Sequence, residues 1–118
     1  MPPFSATSQY VAVSVACLAL CVGAAPVSAD EDPVFAIEFR DGAIAPARVE
    51  VPANTRFKLE LHNRGTSPVE FESVELRREK VLGPGVTTFI VIKRLAPGEY
   101  SFFDDFHLDM PPATLVAK

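Results

Sequence analysis

From Val34 onward the chain is a succession of short segments in which apolar and polar residues alternate, each closed within a few residues by Pro, Gly, Asn or Asp. Alternation with period two sends successive side chains to opposite faces of an extended chain, so it suits strands half-covered by a core and not the 3.6-residue stripe of a helix. Val34-Phe35-Ala36-Ile37-Glu38-Phe39 puts Phe35, Ile37 and Phe39 on one face, and Arg40-Asp41-Gly42 breaks the run. Residues 47–51 alternate between Pro46 and Pro52, residues 57–61 stop at Asn63-Arg64-Gly65, and residues 69–72 follow Pro68. Residues 100–103 and 114–117 complete the set, while residues 87–92 are more continuously apolar, which predicts a strand covered on both sides. About seven short strands with this punctuation indicate an all-β, two-sheet antiparallel sandwich. One stretch resists the pattern: in residues 73–80, Glu75 and Glu79 stand four apart, which suits one or two helical turns, and extended chain fits equally.

With 118 residues, 48% of them hydrophobic, the chain has room for one domain and is too apolar to be disordered. Part of that hydrophobicity is expected to lie outside the fold. Residues 11–25 carry no charge, and Pro26-Val27-Ser28-Ala29 then leads into Asp30-Glu31-Asp32. Such a run, with small residues just before a sudden charge, reads as a secretory signal peptide at 1–29, cleaved after Ala29 and followed by the domain at 30–118. It departs from the usual pattern in that residues 1–10 contain no Lys or Arg. A retained anchor is the lesser reading, since the run is short of the ~20 residues a spanning helix needs. Lipid on Cys21 is also disfavoured, because Leu20 is bulkier than the small residue such a site wants. Cleavage would remove both cysteines, Cys17 and Cys21, leaving no thiolate for catalysis, for a disulfide or for metal. The expected product is an exported, periplasmic protein that is not integral to a membrane, and its net charge of −4 argues against a nucleic-acid partner. No phosphate-binding Gly loop, Gly-x-Ser-x-Gly elbow or zinc-finger spacing is found.

The residues able to carry chemistry gather near the C-terminus, in Pro97-Gly98-Glu99-Tyr100-Ser101-Phe102-Phe103-Asp104-Asp105-Phe106-His107-Leu108-Asp109-Met110, and in Pro68-Val69-Glu70-Phe71-Glu72-Ser73 with Glu75-Leu76 and Glu79-Lys80 after it. A Pro-Gly turn and aromatic strand of this form, with His and Met following, resemble the copper-binding loop of the cupredoxins. More narrowly, the two segments together resemble the cupredoxin-like periplasmic proteins of bacterial ferrous-iron uptake systems, related to the small domain of EfeO-type iron-uptake lipoproteins. The resemblance covers residues 34–118 and implies a Greek-key β-sandwich. Its ordinary ligands would be a histidine after the third strand, then Cys, His and Met in the last loop. Here the first falls on Val69 or Glu70, the second on Asp104, the third on His107 and the fourth, loosely, on Met110. Only His107 matches.

What the resemblance implies is therefore a non-blue site built from Glu70 or Glu72, Asp104 or Asp105, and His107, with Met110 at its rim. Oxygen donors with one imidazole suit Cu(II), Fe(II)/Fe(III), Mn(II) or Zn(II), and no blue-copper centre is expected. The implied role is accessory to ferrous-iron uptake beside companion iron-transport proteins in the periplasm or inner membrane, assisting Fe(II) oxidation in the manner of a ferroxidase or handing on metal or electrons. The alternative is a metal-free interaction module docking through Glu70, Glu72, Glu75 and Glu79. Each residue also has a plainer reading. His107 can pack on Phe106; Asp104 and Asp105 point to opposite faces of extended chain, and either can cap a turn. Glu70 and Glu72 can face solvent, Met110 can simply pack, and His62 reads as a surface residue.

Overall fold

The computed structural model describes residues 31–118, together with Pro3 and Gly23. Apart from those two positions, the expected signal peptide and both cysteines lie outside the described residues. Nine strands follow one another: β1 (Val34–Arg40), β2 (Ala43–Ala45), β3 (Arg48–Val51), β4 (Phe57–Asn63), β5 (Val69–Ser73), β6 (Arg78–Leu82), β7 (Thr87–Ile92), β8 (Gly98–Asp104) and β9 (Ala113–Ala117). They form a four-stranded sheet in the order β2-β1-β4-β7 and a five-stranded sheet in the order β3-β9-β8-β5-β6. The chain is thus all-β, a two-sheet sandwich with a cupredoxin-like fold.

Each alternating segment delivers its apolar face to the space between the sheets. Ile37 and Phe39 from β1, Phe57, Leu59 and Leu61 from β4, Val69 and Phe71 from β5, Phe102 from β8 and Leu115 from β9 are fully buried. Phe71 and Phe102 stack at 5.2 Å and 26°, while Phe35 meets Phe57 edge-on at 5.8 Å. The strands are not all antiparallel as the sequence suggested. β1 runs parallel to β4, and β3 runs parallel to β9. Alternation dictates which face a residue takes and says nothing about the direction of the neighbouring strand.

Two strands were not anticipated. Asp41 and Gly42, both at positive φ (47° and 94°), form a two-residue hairpin turn, so Ala43–Ala45 folds back on β1 with Arg40 opposite Ala43. Residues 73–80 form no helix. Ser73 Oγ accepts the Leu76 N–H at 3.3 Å, Arg77 takes φ 53°, and β6 then pairs with β5 along its whole length. The apolar run of β7 is also not covered on both sides. β7 is an edge strand that buries Ile90 and Ile92 and leaves Phe89 50% exposed.

Candidate metal centre

One end of the sandwich gathers the end of β1, the end of β4, the start of β5 and the end of β8. β8 stops at Asp104, and two successive turns follow, with the His107 N–H donating to the Asp104 carbonyl (3.0 Å) and the Met110 N–H to the His107 carbonyl (3.1 Å). Asp104 is buried, 2% exposed, and both of its oxygens are engaged. Its Oδ1 accepts from Glu70 N (3.0 Å) and Phe106 N (3.1 Å), and its Oδ2 lies 2.7 Å from His107 Nδ1. A buried carboxylate is tolerable only when satisfied in this way. It ties β5 to the loop after β8 and fixes the orientation of the His107 ring.

The other side of that ring meets the loop after β4. His107 Nε2 is 3.4 Å from Ser67 Oγ, and Asp41 Oδ1 accepts from Thr66 N (2.9 Å), Thr66 Oγ1 (3.2 Å) and Ser67 Oγ (3.3 Å). These bonds, the Thr66 N–H foremost, hold the Asp41 carboxyl below its ordinary range. Asn63, buried at the end of β4, donates to the carbonyls of Ser67 (2.9 Å) and Leu82 (3.1 Å) and accepts from Gly65 N (3.0 Å). Gly42 lies against the His107 and Met110 side chains so closely that a Cβ there would stand 2.8 Å from Met110 Cγ and 3.0 Å from His107 Cβ. Asp41, Asn63 and Ser67 carry no signal of these roles in the sequence, because the roles also rest on contacts with residues 19 to 40 positions distant. Only the Asp41-Gly42 pair carried a local signal, that of a hairpin turn.

A second acidic group stands on the outer face of β5. Val69 and Phe71 point inward, so Glu70 and Glu72 point outward, and the β5–β6 register sets Glu79 directly opposite Glu72. Glu70, Glu72 and Glu79 bring ligand oxygens within 4.8 Å of one another. Burial raises the Glu70 carboxyl above its ordinary range, and the charges of Asp105, Glu79 and Glu72 push it further the same way. Like charges facing each other across a strand pair are unfavourable unless something offsets them.

The structure therefore distributes the expected residues over two neighbouring groups. Asp104 and His107 are joined directly, and Met110 packs beside Gly42 at the same end. Glu70 and Glu72 join Glu79, with the exposed Asp105 close enough to act on Glu70. Glu79, the third member, is named from the sequence among the glutamates of the alternative docking surface and not among the expected ligands. His62 lies on the outer face of the four-stranded sheet, paired with Glu60 and 2.9 Å from Thr87 Oγ1, away from both groups. The donors fit an oxygen-ligated divalent ion and do not fit a thiolate copper centre: the position after the third strand is filled by fully buried Val69, and position 104 offers oxygen.

The chain belongs to the cupredoxin-like domain family, whose sequence profile matches residues 10–117. An uncharacterized protein of Rickettsia prowazekii (strain Madrid E) is 41% identical over 82 residues, which is 70% of this chain and 66% of that protein's length. Among solved structures, a purple cupredoxin from Nitrosopumilus maritimus superposes with a TM-score of 0.53 at 16% identity, covering 70% of this chain and 98% of that one. A reduced auracyanin from Roseiflexus castenholzii gives 0.59 at 15% identity over 75% of this chain and 98% of its own. A copper binding protein in its apo form gives 0.62 at 15% identity over 72% and 86%. At such identities these likenesses establish the fold alone.

Proposed function

We propose that the chain is an exported, periplasmic metal-binding accessory protein of ferrous-iron uptake, in which a cupredoxin-like sandwich presents an oxygen-rich, non-blue site. The observation that carries this reading is the convergence of Glu70, Glu72 and Glu79 within 4.8 Å beside the Asp104–His107 pair. Glu70, Glu72 and Glu79 would hold the ion, with Asp105 adding charge and His107 the neighbouring imidazole. When bound, iron or Cu(II) would supply one-electron chemistry, and carboxylate ligands favour the more highly charged oxidation state. The protein's own part is to keep its acidic side chains convergent on the β5–β6 hairpin, where burial and then the charges of Asp105, Glu79 and Glu72 hold the Glu70 carboxyl above its ordinary range. Companion iron-transport proteins in the periplasm or inner membrane are the proposed partners.

Calorimetric titration of residues 30–118 with Cu(II), Fe(II) and Mn(II) tests the proposal. One ion per chain is expected, with Kd below about 100 μM, equivalent to roughly 5.5 kcal/mol. Loss of binding in Glu72→Gln/Glu79→Gln with retention in His107→Ala places the ion on the glutamates; the reverse pattern places it between Asp104 and His107. No binding by any of the three ions in that range overturns it. A metal-free interaction module is the second reading, favoured by one observation: both Asp104 oxygens are engaged by the fold's own donors, while Phe106, Leu108 and Met110 stand exposed around His107.

A further inference from the structure

At the end of the sandwich opposite His107, cations collect on a protein whose net charge is −4. Arg78 and Lys80 lie on the face of β6 that buries Leu82, and so reach across toward β7. Lys93 and Arg94 follow β7 directly. None of the four forms an ion pair within 4 Å of a carboxylate among the described residues, whereas Arg48, Arg56, Arg64 and Lys118 each do. Between them runs a groove of about 410 Å³ with Leu76, Ile92, Leu95 and Tyr100 in its lining. Its one acid, Glu75, is already committed, accepting the Ser101 N–H at 3.2 Å.

The groove continues along two free sheet edges. β7 ends the four-stranded sheet and β6 ends the five-stranded sheet, and the two lie side by side. The Val91 carbonyl on this edge is bonded by the Arg78 guanidinium. Phe89 stands half exposed on the same strand. A free edge offers main-chain hydrogen bonds, an apolar floor takes alternate side chains, and surrounding cations select the charge of the rest.

We propose that the β6–β7 seam is a docking site for an extended acidic segment of a partner protein, one in which carboxylates alternate with apolar residues. Apolar side chains would enter the groove floored by Leu76 and Ile92, and the carboxylates would meet Arg78, Lys80, Lys93 and Arg94. Of the three convergent glutamates, Glu79 lies in the lining of the seam between Arg78 and Lys80, whereas Glu70, Glu72 and His107 do not line it.

The probe is a fluorescein-labelled nonapeptide alternating Glu with Val and Phe, with a counterpart carrying Lys in place of Glu. Both are titrated by fluorescence anisotropy into residues 30–118 in the presence of a chelator. The acidic peptide is expected to bind, to weaken at least about tenfold in Lys93→Glu/Arg94→Glu, and to weaken with added salt. The double variant lies on exposed positions, and an unchanged melting curve confirms that it folds. Equal binding of the Lys peptide, no binding of either peptide, or affinity untouched by the charge reversal overturns the proposal. So does sedimentation showing that the seam is covered by a second copy of the chain.

Discussion

Replacing Asp104 by alanine would remove, in one step, the acceptor for Glu70 N, for Phe106 N and for His107 Nδ1. A hydrogen bond to a charged group contributes about 1.5–3 kcal/mol, and a buried donor left without a partner costs about 1–3 kcal/mol. The three losses do not add, because Phe106 and the partly exposed His107 ring can turn to water, whereas the Glu70 N–H sits on a paired strand. A total of about 3 kcal/mol follows. Asp104→Asn keeps an oxygen for the two N–H groups but turns an NH2 donor toward His107 Nδ1 in place of the charged acceptor, so about 1–1.5 kcal/mol is expected. For a domain of this size each kcal/mol moves Tm by about 4–8 °C. Urea unfolding followed by circular dichroism gives both values, and the ordering matters as much as the size. If Asp104→Ala lies within about 1 kcal/mol of the parent, or no worse than Asp104→Asn, the carboxylate does not hold β5 to the last loop as argued.

Three further outcomes follow from the fold. Phe71→Ala, which opens the stack on Phe102, should cost about 3–5 kcal/mol, whereas Phe89→Ala on the exposed edge should cost about 1 kcal/mol or less; equal losses in urea unfolding would contradict the edge position of β7. Asp41 has a carboxyl held below its ordinary value of 3.8, so its contribution is present above that value and is lost as pH falls through the lower folded value. Asp41→Asn should therefore melt below the parent at neutral pH, with the gap closing in acid, as scanning calorimetry across pH would show. Gly42→Ala forces a Cβ against Met110 and His107 at a φ of 94°, so it should shift the His107 ring resonances by NMR and lower Tm, while leaving resonances of β9 in place.

Seven of the nine strands are legible because their alternation survives into the burial pattern: β4 buries Phe57, Leu59 and Leu61 and β5 buries Val69 and Phe71, just as period two requires. β6 escapes notice because it is an edge strand that buries only Leu82, so charge on Arg78, Glu79 and Lys80 masks its extended form. β2 is three residues long, and Asp41-Gly42, which ends the alternation of β1, is also the hairpin turn that starts β2. β7 misleads in the opposite sense, since Phe89 and Val91 are apolar on a face that a neighbouring strand does not cover. At the candidate centre, the juxtaposition of Asp104 and His107 is encoded locally, three residues apart in a turn. The meeting of Glu79 with Glu72 depended on knowing that residues 74–77 close a hairpin, and the support from Asn63 and Ser67 depended on the whole topology.

The parallel pairing of β3 with β9 has a consequence for how the molecule comes into being. Arg48 finds its neighbour at Thr114 and Val51 at Ala117, so a ribbon laid down in the first half of the domain has no permanent place until the final residues arrive. Contacts so remote in sequence slow folding, because the chain must close a long loop before it gains anything from them. A polypeptide built this way cannot seat β3 in its sheet until its last strand is available.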